Sequence, residues 1–389
     1  MKSESVRVGI VGMGNASNSH LQGYISHPQA EVIAVCDLDA VRAVQIASQH
    51  RIGKIFTSFS EMLESAPINS VDIATPTFLH ASMTRQACAA GMHVHCEKPF
   101  CRSVMEGTEA CEAAHRSGVK LVVGETYVFI TSHMKARELV EAGEIGRPLQ
   151  VRQRHGAWLK RKTLAEHLDS EERHWRADGE KSGGGDYPWI FDHAVHFFAA
   201  AEYLMLDRKI SEVHSVTGTC RVDAKHRQGP YSNLEDDIPI ITWKYDDSDC
   251  QGVWMRAERL NGKYDYMSGF STTIIGETGM IEVLGEGGRN LIWDGQQQHL
   301  VLHRDGRETR CFRFDEGGDD VWNSEICYYS RGHINQVHHF VDCVVQDREP
   351  RFTGEDGVHS VRCTLATIRS AREGRPIRVD EIGPEYTAY

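Results

Sequence analysis

The sequence predicts an α/β protein of two domains, a doubly wound parallel sheet followed by a domain dominated by antiparallel strands. Three observations carry this. The chain has 389 residues, more than one compact core usually spans. Over the first third, strand-like and helix-like segments alternate, the rhythm of a parallel sheet with helices on both faces. From about residue 213 the strand candidates follow one another across Gly-rich turns, as in an antiparallel sheet.

The elements follow in order. The apolar run Val6–Val11 ends in glycines and predicts the first strand; residues 21–27 read as helix and 31–36 as the second strand. Residues 39–50 open on Asp39, a good helix N-cap, and carry apolar residues at helical spacing. A short strand at 55–56 and a helix over Phe59–Ser65 come next. A strand at 71–74 and a helix at 79–90, closed by Gly91, follow. A strand at 93–96, a helix over Val104–Ser117 closed by Gly118 and a strand at 121–123 complete a first domain, 1–126.

The second domain, 127–389, opens with a helix at 133–142 and a strand at 149–156. Residues 160–182 are highly charged and poorly periodic, and read as a long excursion. Residues 189–204 predict a helix. Strands are expected at 213–221, 239–245, 252–257, 272–275, 280–284, 291–293 and 300–302. Helices at 332–346 and 355–372 and a strand at 377–379 close the chain.

Composition excludes several classes. Charged residues at 25% and hydrophobic residues at 40% are ordinary for a globular protein, not for a disordered, collagenous or coiled-coil one. No apolar run approaches the roughly 18 residues of a membrane span. The short polar N-terminus leads straight into a strand, so no secretory signal is expected and a cytoplasmic location is. A net charge of −12 argues against nucleic acid as a partner. The 11 cysteines are odd in number, include no C-x-x-C, and often sit in apolar runs (Cys36, Cys88, Cys111, Cys343), which predicts buried, reduced thiols. The 21 histidines raise the question of a metal. Neither His193 with His196 nor His333, His338 and His339 supplies three or four ligands at an established spacing, so no bound metal is expected. The Lys160-Arg161-Lys162 run reads as a solvated loop or as an attractor for an anionic sugar.

The strongest local signal is Gly12-Met13-Gly14-Asn15-Ala16-Ser17 between the first strand and first helix. Gly12 makes the tight turn, Gly14 lets the backbone approach a pyrophosphate, and the helix N-terminus at Asn15 and Ala16 offers free N–H groups. Ser17 stands where the third glycine of the fingerprint falls. Asp37 ends the second strand a little over 20 residues further on, where a carboxylate accepts hydrogen bonds from an adenosine ribose. Leu38, not a basic residue, comes next, which favours NAD over NADP.

Three more segments carry a family resemblance. Thr75-Pro76-Thr77-Phe78-Leu79-His80 follows one strand, and Glu97-Lys98-Pro99 follows another. Gly183-Gly184-Gly185 precedes Asp192-His193-Ala194-Val195-His196. In order and spacing these resemble the Gfo/Idh/MocA oxidoreductases, as do Phe352-Thr353-Gly354-Glu355-Asp356-Gly357 and Ser370-Ala371-Arg372-Glu373-Gly374-Arg375 near the C-terminus. The resemblance covers nearly the whole chain. It implies a Rossmann domain, then an α/β domain with an open, mainly antiparallel sheet, a site between the domains, and a homo-oligomer (dimer or tetramer). It also implies NAD(P)-dependent hydride transfer at a secondary alcohol of a sugar, inositol or related polyol.

Residue by residue, the resemblance makes Lys98, Asp192 and His196 catalytic. His196 is the proton acceptor, Lys98 stabilises the developing alkoxide or helps relay the proton, and Asp192, one helical turn before His196, orients the substrate or supports the local charge. Without the resemblance, His196 on the apolar run 194–201 reads as a core histidine. Cofactor contacts are implied at Gly12, Gly14, Asn15, Ala16, Ser17, Asp37, Thr75, Pro76, Thr77, His80, Glu97 and Lys98; for His80 a helix-terminal hydrogen bond is an equal reading. Tyr127, His155, Trp175, Arg176 and His193 are substrate-binding candidates. The pattern departs from the family at residues 186–191, which lengthen the step from the triple glycine to Asp192. Two other readings stay open: retained NAD used for transient oxidation in elimination or glycoside cleavage, and a dinucleotide sensor without catalysis.

Overall fold

A computed structural model describes residues 5–155, 175, 178–218, 239–246, 249–256, 271–284, 299–314 and 328–389. The chain divides into two compact units, residues 1–125 with 333–361, and residues 126–332 with 362–389.

The first unit is built on six parallel strands in the order β3-β2-β1-β4-β5-β6. These are β1 Val6–Val11, β2 Ala30–Cys36, β3 Lys54–Phe56, β4 Ser70–Ile73, β5 His93–Glu97 and β6 Leu121–Gly124. Helices α1 Asn15–Ser26, α2 Ala40–His50, α3 Phe59–Ser65, α4 Thr77–Ala89 and α5 Val104–Ser117 connect them. The central strands are buried along their length, as parallel strands covered on both faces must be. Helix ends follow local chemistry. The Asp39 side chain accepts from the N–H groups of Val41 and Arg42 to start α2, and Gly118 closes α5 with a left-handed φ of 64°. Strand order reverses between β1 and β4, the switch point outside whose carboxyl ends such sheets bind ligands.

One finding differs from a division of the chain into two continuous pieces at 126/127. Helix α9, Tyr328–Gln346, returns from the far end of the sequence, and from His333 onward it belongs to the first unit. Its apolar stripe Val337, Phe340 and Val341 joins Val6, Val8, Ile10, Leu21 and Tyr24 in one buried cluster. Gly23 admits this packing: a Cβ there would lie 2.7 Å from that of Val337. The α1 face of the sheet is therefore closed by residues over 300 positions downstream.

The second unit carries a nine-stranded sheet in the order β14-β13-β12-β11-β7-β10-β9-β8-β15. Its strands are β7 Pro148–His155, β8 Ile210–Val216, β9 Ile240–Tyr245, β10 Gln251–Arg256, β11 Ser271–Gly276, β12 Gly279–Leu284, β13 His299–Arg304, β14 Arg310–Arg313 and β15 Ile377–Arg378. Strands β7 and β10 pair in parallel, and the other pairs are antiparallel. Helices α6 Thr131–Glu141, α7 Gly179–Ser182 and α8 Pro188–Leu204 belong to this unit, as does the end of α10 Gly354–Glu373. The apolar side chains of α8 pack on the sheet, with Phe197 stacked on Trp254 at 4.5 Å between ring centroids and Phe198 edge-on to Trp243 at 5.5 Å.

The strand β14 was not expected from the sequence. Its residues Arg310-Cys311-Phe312-Arg313 carry no apolar run because it is a charged, exposed edge strand. The strand expected at 291–293 and most of the excursion 160–182 lie outside the described residues. Among the described residues nine cysteines are free, and all but Cys311 are buried. No described helix is long and apolar enough to cross a membrane.

Candidate active site

The first unit presents a dinucleotide cradle at its switch point. Gly12 holds φ at +89°, and a Cβ there would lie 2.6 Å from the Ala74 carbonyl oxygen, so only glycine fits the turn. Gly14 is the N-cap of α1 and leaves the helix N-terminus without a side-chain cap. A Cβ on Gly14 would meet nothing within 4 Å, so the space beside the first-turn amides of Asn15, Ala16 and Ser17 is open. Ser17 does not obstruct it; the side chain is buried and its hydroxyl donates to the Gly14 carbonyl at 2.7 Å. Asp37 is fixed by backbone donors, with Met13 N–H reaching Oδ2 at 2.7 Å and Asp39 N–H reaching Oδ1 at 2.8 Å. The exposed Leu38 flanks it. An anion site at a helix N-terminus, a close backbone approach and a positioned carboxylate together fit NAD.

The next two strand ends supply the remaining first-unit candidates. Pro76 is the N-cap of α4, and Thr77 begins the helix with its side chain buried. Thr75 stands before them and donates its hydroxyl to Met83 Sδ at 3.6 Å. His80 is buried, with Nδ1 2.8 Å from the Pro99 carbonyl and Nε2 2.6 Å from the Thr75 carbonyl. Burial pushes its pKa down against the pull of those carbonyls, and the ring sits between the Thr75 turn and the Lys98–Pro99 segment. Glu97 turns inward, where Oε2 accepts the Lys98 N–H at 3.1 Å and Oε1 lies 3.0 Å from His20 Nε2.

Behind Glu97 lies a buried charged cluster. Asp72 on β4 accepts from His20 Nδ1 at 2.9 Å, His95 Nδ1 at 2.7 Å and the Tyr24 hydroxyl at 2.8 Å. His20 is opposed by burial, yet Asp72 and Glu97 raise its pKa to about 10. Burial pushes Glu97 up, but His20, His333 and Lys98 bring it down to about 2. Burial likewise works against Asp72, and His20 and His95 hold it well below the carboxylate range. The cluster thus carries two ionised carboxylates that require positive charge beside them.

The second unit sets its candidates on α8. Residues 186–191, the step that departs from the family spacing, run into the first turn of this helix, with Pro188 at its start. Asp192 and His196 lie one turn apart and are 7% and 3% exposed. Tyr127, in the short 3-10 turn Thr126–Val128, stacks on the His196 ring at 4.7 Å between centroids and 27° between planes. Phe197 meets Tyr127 edge-on at 5.3 Å, and His133 Nδ1 lies 2.6 Å from the Tyr127 carbonyl. His193 turns its Nδ1 to the Trp189 carbonyl at 3.1 Å and lies 3.7 Å from Asp192 Oδ2. Tyr127, Asp192, His193 and His196 therefore come together. The upstream glycines Gly183 and Gly185 both hold positive φ, 93° and 57°, and lead the chain into α8. Trp175 is half-buried, the His155 backbone pairs with Arg256, and Arg176 lies outside the described residues.

The sequence puts His20 at the opening of a helix near the cofactor and offers His333 only as a weak metal candidate; it gives no sign of Asp72, His95 or Gln336 of the buried cluster. No local spacing signals it, because its members come from α1, β4, β5 and α9.

A parallel sheet with a glycine turn and a positioned carboxylate, accompanied by an α/β unit carrying an Asp–His pair, fits a nicotinamide-dependent oxidoreductase architecture. The chain belongs to the Gfo/Idh/MocA oxidoreductase family: the NAD-binding Rossmann-fold model of that family matches residues 6–125, and its C-terminal α/β domain model matches residues 137–379. The first unit is thus the NAD-binding domain. The chain is 25% identical over 377 residues, 96% of each chain, to scyllo-inositol 2-dehydrogenase (NAD(+)) of Bacillus subtilis. It is 23% identical over 370 residues, 91% of each chain, to 2,7-anhydro-N-acetylneuraminate hydratase of Mediterraneibacter gnavus. Its fold matches an oxidoreductase of Agrobacterium radiobacter, solved with NAD+, L-tartaric acid and magnesium, with a TM-score of 0.78 at 16% identity over 97% of this chain and all of that one.

Proposed function

We propose that the protein reversibly oxidises a secondary alcohol of a sugar, inositol or related polyol with NAD. The observation that carries this reading is the buried Asp192–His196 pair on one face of α8, with Tyr127 against the imidazole. A proton acceptor so placed has no use in a protein that only senses the dinucleotide.

NAD, which the glycine turn at Gly12 and Gly14 and the Asp37 carboxylate would hold, would supply the hydride acceptor for the substrate carbon. His196 takes the hydroxyl proton as that carbon becomes a carbonyl, a role for which imidazole suits neutral pH. Asp192 favours the imidazolium that forms. Lys98, held by its backbone N–H on Glu97, stabilises the developing alkoxide through its ammonium charge. His193 and Tyr127 shape the polar end of the substrate pocket. The test is hydride tracing. A polyol deuterated at the oxidised carbon should yield one equivalent of deuterated NADH per carbonyl formed, and a carbonyl product without deuterium in NADH would sink the assignment.

A second reading rests on the relative named as a hydratase. In it the hydride returns to the substrate before release, and the net reaction is elimination or addition of water. Product formation from a pure sugar without net NADH would select it.

We further propose a cytoplasmic homo-oligomer. Val216, Ile240 and Met255 stand directly opposite one another on β8, β9 and β10 and are 60%, 50% and 41% exposed. Such an apolar row across three strands suits burial against a second copy. Light scattering of the Ile240→Lys protein should show a smaller particle than the wild type; an unchanged mass contradicts the surface.

A further inference from the structure

We propose that the buried cluster behind Glu97 is a closed binding site for a divalent, zinc-type metal ion, held by His20, Glu97, His333 and Gln336.

Four side-chain atoms converge in the first unit. His20 Nε2 lies 3.0 Å from Glu97 Oε1 and 3.1 Å from Gln336 Nε2. His333 Nδ1 lies 3.3 Å from that amide nitrogen and 3.9 Å from Glu97 Oε1. A tetrahedral zinc ion with bonds of about 2.0–2.1 Å separates its ligand atoms by about 3.3 Å. The observed spacings bracket that value. His20, Glu97 and His333 are all buried, as the ligands of a closed structural site are.

The surroundings match what a metal-bound histidine needs. His20 gives Nδ1 to Asp72, which fixes the tautomer and leaves the Nε2 lone pair facing the centre. Asp72 is itself braced by His95 Nδ1 and Tyr24.

His20 Nε2 faces the Glu97 carboxylate and the Gln336 amide together. Gln336 Oε1 is buried with no hydrogen-bond partner. Turning the amide brings that oxygen to the position of Nε2, where it becomes the fourth ligand. Gly124 leaves room alongside, for a Cβ there would stand 3.0 Å from Gln336 Nε2 and 3.3 Å from Glu97 Oε1. The ion's place is structural. It joins α1, β5 and α9, and so fixes the C-terminal helix on the NAD-binding sheet one residue before Lys98.

The test uses the full-length protein, unfolded with a chelator and refolded with Zn2+ or without metal, then washed briefly with chelator to strip surface histidines. Bound metal is read by mass spectrometry. We expect about one zinc per chain in the wild type and at least a tenfold loss in Glu97→Gln and His333→Ala. The zinc-refolded wild type should also melt at a higher temperature than the metal-free one. Less than about a tenth of an equivalent in the folded wild type overturns the proposal. So does equal zinc in the wild type and both variants. Should a variant not fold, Co2+ in the wild type decides: the intense visible bands of a four-coordinate ion support the site, and their absence overturns it.

Discussion

The Tyr127 ring lies against the His196 ring, 4.7 Å between centroids and 27° between planes. That stack sets the orientation of the proposed proton acceptor, because Tyr127 is itself buried and backed by Phe197 and His133. Tyr127→Ala should therefore lower kcat by about 10- to 100-fold through misorientation. Tyr127→Phe keeps the face and should stay within a few-fold. Steady-state kinetics on both variants checks this, and equal losses would mean that the hydroxyl, not the stack, matters.

Gly12 is the strained position of the dinucleotide turn. Gly12→Ala puts a Cβ 2.6 Å from the Ala74 carbonyl oxygen at a φ of +89°. The expected cost is about 1–3 kcal/mol of stability, together with lost NAD binding. Thermal melts with calorimetric titration of NAD measure the two effects; unchanged affinity would remove Gly12 from the cofactor site.

Asp37 is the residue we propose for the ribose. Asp37→Ala should weaken NAD by about 10- to 100-fold, the worth of hydrogen bonds to a carboxylate, with a smaller effect on NADP. Dissociation constants for both dinucleotides decide, and a parallel loss for the two would show that Asp37 acts only by bracing the Met13 and Asp39 amides.

Thiol reactivity should separate sharply. Burial pushes Cys36, Cys88 and Cys343 up to about 11. They remain thiols below that pH, and the thiolate is the nucleophile, so their labelling should be slow at neutral pH and rise only in alkali or on unfolding. Among the nine described cysteines, Cys311 on the exposed edge strand should label first. Peptide mapping after brief alkylation gives the order; early labelling of Cys88 would contradict the core as drawn.

What the sequence disclosed was local. The first strand, Gly12, Gly14 and Asp37 stand at fixed spacing, and α3 and α5 were bounded correctly by the apolar period and Gly118. Helix α1 starts at Asn15, not at residue 21, because Ser17, Ser19 and His20 are buried polar residues that hide the pattern. Long-range choices left no such trace. Nothing near Val337 or Phe340 says that α9 will cover the first sheet. Likewise, nothing near Asp72 says that its carboxylate will meet histidines from α1 and β5. The Asp192–His196 spacing showed a shared helix face; the Tyr127 stack needed the fold.

In the proposed reaction Lys98 and His196 handle the substrate hydroxyl. The most direct measurement is NADH formation by Lys98→Ala and His196→Ala over a panel of inositols, aldoses and polyols, with NAD binding followed by calorimetry. Each variant should lose at least about a hundredfold in kcat, with His196→Ala still binding NAD within a few-fold of the wild type. Turnover at the wild-type rate in both would contradict the account.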